Sequence, residues 1–564
     1  MCSAGRSNAS GTARSWRRST IVSRMRRTTR WWRGFVDGDE GTRDLGDAPA
    51  LAGRRVPAAA AILMLAFAAS RLTGLARGIA VGFAFGTSPE LDAYLAANRV
   101  ADLIYQIAIG GAVGAAFIPV FSTYLTANDR AGAWRLLSTL MTISVIALAP
   151  ICLVIGILAE DVMRVAGGFD DDQRRLAAEL LRPQLLSPIF FAIGTFATSA
   201  LNTRGAFLVP SLAPSLYNLG IIFGALALAP FIGIRGLAIG AAIGALLYAG
   251  IQIPSLRVFG PIGRPVLDLT HAGVRQVGRL MAPRVLGLAV SQINFVVIII
   301  LASPLPGAIA ALDYAWLLMM LPLGLFAMAI ANALFPSIAE QAARAEWSAV
   351  GASVRSALSA VLYLVLPAAL GLALLAEPIV ATLLERGAFV EGSARLTATA
   401  LRFYALGLVG QSIVEIVARG FYARQDTRRP VIVATLAVAV NVALAFPLRE
   451  ALGHGGLALA LSLSSVAEAI GLIVLARHRM PGVVSGKLVA SLARVLVGII
   501  AMGGMAALLP GAIAWHGHAD SEIDRIARLL ILVAGGGATY LVATILARAR
   551  EPIWLAHRLR ARMR

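Results

Sequence analysis

PAAAAILMLAFAASRLTGLARGIAVGFAF, residues 57–85, is long and apolar enough to cross a bilayer, yet it carries Arg71 and Arg77 in its interior. A guanidinium at membrane depth costs about 2.5–3.5 kcal/mol on insertion scales, so it normally faces a wet cavity or an anionic partner. The two arginines are six positions apart, which at 100° per residue separates them by roughly 120° around the helix and about 9 Å along it. Both are expected to reach one interior cavity. Snorkelling to an interface is the blander alternative, and the about fourteen apolar or small residues ahead of Arg71 count against it.

The rest of the chain sets the class. Hydrophobic residues make up 58%, charged residues 14%, and mean hydropathy is +0.78, against about 45–50% and 25% for soluble domains. Scanning for apolar runs of spanning length predicts an all-α polytopic membrane protein of roughly fourteen helices. These start near residues 57, 91, 132, 178, 208, 234, 277, 306, 354, 393, 429, 455, 488 and 525. No soluble domain remains between them.

A net charge of +20 invites a nucleic-acid reading, but its placement argues against one. Arginine collects in alternate loops, among them TANDRAGAWR, NTRGAF, ARQDTRRP and ARHRMPGVVSGK. The intervening loops, such as GTSPE, EDVMRVAGGFDDDQRR and HGHADSEIDR, are short or acidic. By the positive-inside rule both termini are expected in the cytoplasm, which an even number of crossings allows. Residues 1–56, with RSWRRSTIVSRMRRTTRWWRGF, read as a basic, disordered tail without the apolar segment of a signal peptide. An idle tail or spurious upstream start outweighs contact of Trp31 and Trp32 with anionic headgroups. Cys2 and Cys152 fall in different environments, so no disulfide is expected.

No enzyme signature is present: there is no Walker motif, no CxxC and no GxSxG. The histidine pair in HGH, 516–518, reads as a solvated loop, and IGGAVGAA, 109–116, as close helix packing. The expected driving force is therefore a gradient or potential, with Na+ or H+ as the possible coupling ion and no cofactor. After the fourth and tenth spans, ALNTRGAFLVPSLAPSLYN and GFYARQDTRRPVIVATLAV both place Pro six residues after Arg, Arg204/Pro210 and Arg424/Pro430. Six spans of separation imply parallel halves, 57–260 and 261–480, with the substrate path between them. Two further helices, 481–550, and a basic tail, 551–564, follow.

SRLTGLARG (70–78), LDAYLAANRVADL (91–103), AFIPVFSTY (116–124), VSQIN (290–294), LERGAF (384–389) and GFYARQDTRRPV (420–431) resemble the MurJ/MviN family of lipid II flippases, in order along most of the chain. The resemblance implies the multidrug/oligosaccharidyl-lipid/polysaccharide exporter superfamily, two six-helix lobes, and a cationic cavity holding the diphosphate of an undecaprenyl-linked peptidoglycan precursor. It also implies a groove for the lipid tail in the last two spans, a place in the bacterial plasma membrane, and partners among membrane lipids and cell-wall synthesis proteins. Arginine forks suit a diphosphate because they bind its oxygens bidentately. Arg71 and Arg77 match the family's arginines in the first span, Asp92 its acidic residue at the outer start of the second, where gating or an arginine pair is implied, and Arg99 a position often Lys.

The departures are as informative. Relatives carry Arg then Glu in the inner half of the second span, where this chain has Ile104-Tyr105-Gln106 and Gly110. In the eighth span their Ala-Asp-Arg and following Glu give way to Ala315-Trp316-Leu317 and Met320. Arg284, after Pro283, is a candidate third cationic contact from the opposite lobe, or else a snorkelling residue. Gln292 and Asn294 suit interhelical hydrogen bonds. Asp313 and Glu415 could titrate or bind a coupling cation, or pair with an arginine. Three functions stay open: lipid II export, flipping of another polyprenyl-diphosphate glycan or antiport on a related fold, and a non-transporting scaffold.

Overall fold

Apolar runs broken by Ser, Asp and Gly dictate helices that satisfy their own backbone, as a bilayer demands. The computed structural model describes residues 69–109, 112–260, 265–508 and 522–549, without the side chains at 112, 115, 282–291 and 293. The expectations for residues 1–56, Cys2, Trp31, Trp32, HGH at 516–518 and the tail at 551–564 lie outside these residues, as does the side chain of Arg284.

Helix α1 covers 69–85. The second span is broken into α2, Pro89–Ala108, and α3, Ala112–Thr126. Then come α4, Arg130–Ile157, α5, Asp171–Thr203, α6, Leu208–Ile232, and α7, Ile234–Gly250. The remaining helices are α8, Ala272–Ala302, α9, Ala308–Ala343, α10, Trp347–Leu374, α11, Glu391–Ala423, α12, Arg428–Leu452, α13, His454–Arg479, α14, Gly486–Leu508, and α15, Glu522–Leu546. Eleven of these tracts are long and apolar enough to cross a membrane. With α1, the broken α2–α3 and α8 they give fourteen crossings among the described residues. The chain is an all-α, multi-span membrane protein.

Starts and stops follow local chemistry. Ser88 Oγ accepts from the Leu91 N–H at 3.3 Å, with Pro89 in the first turn of α2. Asp129 and Asp170 carboxylates accept from Gly132 N–H and Gln173 N–H, each at 2.7 Å, at the heads of α4 and α5. Helix α5 therefore begins at Asp171, ahead of the apolar run from about 178. Its polar turns DDQRRLAAELL bury Ala177, Ala178 and Leu181, and this stretch packs against α2. Hydropathy alone misses such an extension because the turns are amphipathic.

Three turns recur between the halves. After α5 and after α11, the sixth residue's N–H bonds back to the first carbonyl, Ala206 to Leu201 and Asp426 to Phe421, each at 3.0 Å, around Gly205 and Gln425 at positive φ. After α3 and α9, Asn128 and Ala345 hold the same left-handed position, with Asp129 N–H bonded to Tyr124 and Glu346 N–H to Gln341. Gly233 (φ 61°) and Gly453 (φ 58°) make the third pair. The Arg/Pro spacing read from the sequence is one of these turns, a helix end closed by a left-handed residue. Val274 and Val277, in the first turns of α8, sit in a core cluster with Phe117, Phe121 and Phe196 of the first half.

The interior is apolar, as in a soluble protein, but the outer surface is apolar too. Leu153, Ile157, Phe231 and Ile500 face outward, while Asn218, Gln252, Asn441 and Ser462 are buried. Asn441 donates to Asn294 across α12 and α8, the interhelical role expected of Asn294. Glycine lets α6 and α7 touch: a Cβ on Gly240 would lie 2.6 Å from the Gly220 carbonyl oxygen and from Gly224 Cα. The last two helices are fastened to the second half. Tyr540 donates to the Tyr363 carbonyl at 2.7 Å, Arg386 pairs with Glu522 at 2.9 Å, and Arg525 with Glu385 at 3.8 Å.

Backbone atoms cannot yield as side chains do, so Gly240→Val is expected to destabilise the fold by about 3 kcal/mol. A thermal-unfolding scan in detergent checks it. Gly537→Ala, where an added Cβ meets open space, should leave the midpoint unchanged or raise it.

Candidate functional site

The two halves meet end to end at the face carrying the arginine-poor loops. Asp92, buried to 1% exposure in α2, accepts from Gly307 N–H at 2.7 Å and Ala310 N–H at 2.8 Å, capping α9 of the opposite half. The N-terminal amides of a helix are unsatisfied donors with partial positive charge, so a carboxylate there is well held. Around it, Thr87 donates to Ser393 at 2.8 Å, the Ala388 N–H to the Phe83 carbonyl at 2.8 Å, and the Gly168 N–H to Ser303 at 3.0 Å. Glycine is required at 86, where φ is 57° and a Cβ would lie 2.9 Å from the Ala388 carbonyl carbon. These contacts shut one end.

Beyond that end, a cavity of about 370 Å³ lies between the halves. The first half contributes Arg77, Asn98, Arg99, Asp102 and Tyr217 to its wall. The second contributes Phe295, Asp313, Trp316, Tyr404 and Leu461. Arg99 lies over the Phe295 ring, 4.5 Å from its centroid, and 3.7 Å from the Asp102 carboxylate. At 3.7 Å and about a third exposed, that ion pair is loose, and a stronger anion can displace it. Neither Arg77 nor Asp313 has an ion-pair partner among the described residues. Trp316 meets Tyr404 edge to face, with centroids 5.6 Å apart and planes at 76°.

Of the residues singled out from sequence, Arg77, Arg99 and Asp313 come together here. Arg71 does not line this cavity. It is exposed, with its guanidinium beside Gly324 in a π-helical stretch of α9, so the rotation and rise between the two arginines carry it away from the site of Arg77. Asp92 holds backbone amides rather than an arginine. Glu415 pairs with Arg419 at 3.5 Å, and Arg419 also donates to Asn332 at 3.2 Å, apart from the cavity. The expected cationic wall is charge-balanced among the described side chains: two arginines and two aspartates. Asp102 and Asn98 went unnoticed although they neighbour Arg99 on one helical face. Trp316 was noted only for the charge it lacks.

Two repeats of six helices that enclose a charged cavity and close it at one end define a membrane carrier of the alternating-access kind. The family model described as lipid II flippase MurJ matches residues 81–519, and the chain belongs to that family. The lipid II flippase MurJ of Burkholderia cenocepacia is 30% identical over 421 residues, covering 73% of this chain and 81% of that protein. The probable lipid II flippase MurJ of Vibrio cholerae is 30% identical over 499 residues, covering 85% and 94%. A solved lipid II flippase MurJ in an inward closed conformation matches with a TM-score of 0.72 and 25% identity over 86% of this chain and 98% of its own. An inward-facing multidrug resistance transporter of the MATE family, 17% identical with a TM-score of 0.62 over 73% of this chain and 95% of its own, shares the fold.

Removing the Asp92 carboxylate leaves two buried amides without acceptors, at about 1.5–3 kcal/mol for each charged hydrogen bond. In a Cys2→Ser/Cys152→Ser background, Thr87→Cys/Ser393→Cys is expected to cross-link efficiently, and adding Asp92→Ala should lower the yield about tenfold.

Proposed function

We propose that this chain moves lipid II, an undecaprenyl-diphosphate-linked peptidoglycan precursor, from the inner to the outer leaflet of the bacterial plasma membrane. The observation that carries this is the convergence of Arg77 and Arg99 on one cavity between the repeats, with Arg77 free of any carboxylate partner among the described residues. Family membership supplies the substrate class, through the lipid II flippases named above. A diphosphate brings about two negative charges and acceptors on every side, which a free guanidinium fork and a loosely paired one can share. Binding would draw Arg99 from Asp102 and set both guanidinium groups against the phosphates as the headgroup leaves water.

The direction follows from the loops. Arginine-rich loops belong in the cytoplasm, which puts both termini there and the shut end on the outside, so the cavity receives its headgroup from within. Halves at 57–260 and 261–480 rock about this cavity, and the matched turns support that division. A gradient or potential drives the cycle. Of the two carboxylates singled out from sequence, Glu415 is committed to Arg419, and Asp313 is the one placed to exchange a proton or cation with the cavity. The balanced charge of the wall favours one second reading, transport of another polyprenyl-diphosphate glycan.

Complementation of a flippase-depleted bacterium tests the proposal, scored by growth and by lipid II in the outer leaflet. The parent chain should rescue, Arg77→Ala and Arg99→Ala should not, and Arg71→Ala should retain partial function. Failure of a well-inserted parent chain to rescue would favour the other glycan.

A further inference from the structure

The wall contributed by α9 raises a question that diphosphate binding does not answer. Trp316 brings a large aromatic ring to this wall, and the ring is not withdrawn into the core. It is half-buried, lines the same cavity as Arg77, and is fixed in orientation by the edge-to-face contact with Tyr404, itself buried to 3% exposure. One helical turn earlier on the same helix, Asp313 also lines the cavity, and no described residue donates to its oxygens or pairs with it. An oriented aromatic ring beside a carboxylate without an ion-pair partner among the described residues is not what binds a diphosphate, because the carboxylate repels it. It is what binds a pyranose. A sugar ring presents a flat C–H face that stacks on an aromatic π-surface, and hydroxyls at its rim that need acceptors.

We propose that Trp316, held by Tyr404, is the platform for an N-acetylhexosamine ring of the headgroup, with Asp313 accepting from its hydroxyls. This rests on the lipid-diphosphate reading above and adds the part of the substrate which that reading leaves unrecognised. The arginines of the first repeat take the diphosphate and the aromatic wall of the second repeat takes the sugar, so the headgroup bridges the two bodies that must move. Trp316 is then a specificity-determining residue.

The test uses the full chain in lipid nanodiscs and three probes: undecaprenyl diphosphate, the same diphosphate carrying its N-acetylhexosamine headgroup, and free di-N-acetylchitobiose. Trp316→Leu should weaken binding of the glycosylated lipid about tenfold while leaving undecaprenyl diphosphate within twofold, and Trp316→Tyr should keep most of the affinity. Equal losses on both lipids, or none on the glycosylated one, overturn the proposal. Arg77→Ala gives the opposite pattern, weakening both lipids. Di-N-acetylchitobiose separates the two readings. If the parent chain binds no undecaprenyl diphosphate, the diphosphate reading fails. Saturable quenching of tryptophan fluorescence by the free disaccharide, lost in Trp316→Leu, would still support the platform, and absence of quenching would overturn it.

Discussion

Both oxygens of Asp92 are bound to backbone amides of a helix from the other repeat. Those amides have no intrahelical acceptor, and in this closed state the carboxylate that serves them is buried to 1% exposure. The contact thus couples helix termination to closure: opening this end uncovers the head of α9 and a buried carboxylate together. Everything else at that face is arranged around it, including the Thr87–Ser393 hydrogen bond and the backbone pairing of Phe83 with Ala388. A carrier needs such a contact to be firm and reversible. One carboxylate on two amides is stronger than a surface ion pair, yet leaves the two bodies joined at few points.

The cavity below reconciles two opposing demands. Guanidinium groups are costly at membrane depth, and full neutralisation by carboxylates would leave nothing for an anionic substrate. Arg99 is stabilised by a ring and a carboxylate at 3.7 Å, while Arg77 lies in the cavity wall with no ion-pair partner among the described residues. The site is therefore balanced overall and uneven locally. That unevenness lets a charge-neutral wall still attract a diphosphate.

Much of this was legible in the sequence because membrane insertion writes itself into composition. Apolar runs gave the fourteen crossings, and Arg204/Pro210 with Arg424/Pro430 gave the repeat. The ends of helices were less legible. Helix α5 extends through polar turns whose only apolar signal is Ala177, Ala178 and Leu181 on one face. Arg71 was placed in the cavity because sequence spacing reports rotation about one helix but not where its neighbours stand. The partner of Asp92 could not be read at all, since backbone amides have no letter in a sequence. Trp316 was misjudged for a related reason: measured against an expected charge, an aromatic ring registers as a loss, and only its position beside Asp313 and Tyr404 gives it chemistry.

The anchorage of the last two helices has a mechanical consequence. Tyr363, Glu385 and Arg386, which tie down α15, all belong to the second repeat, and α14 packs against α15 and α10. The hairpin therefore rides with that repeat as cargo, and the moving masses are unequal: six helices turn against eight. A lipid chain resting on the hairpin would keep its position relative to the aromatic wall throughout the stroke and change it relative to the arginines. The tether and the headgroup would then be displaced by different amounts, and the hydrocarbon chain would have to flex between them.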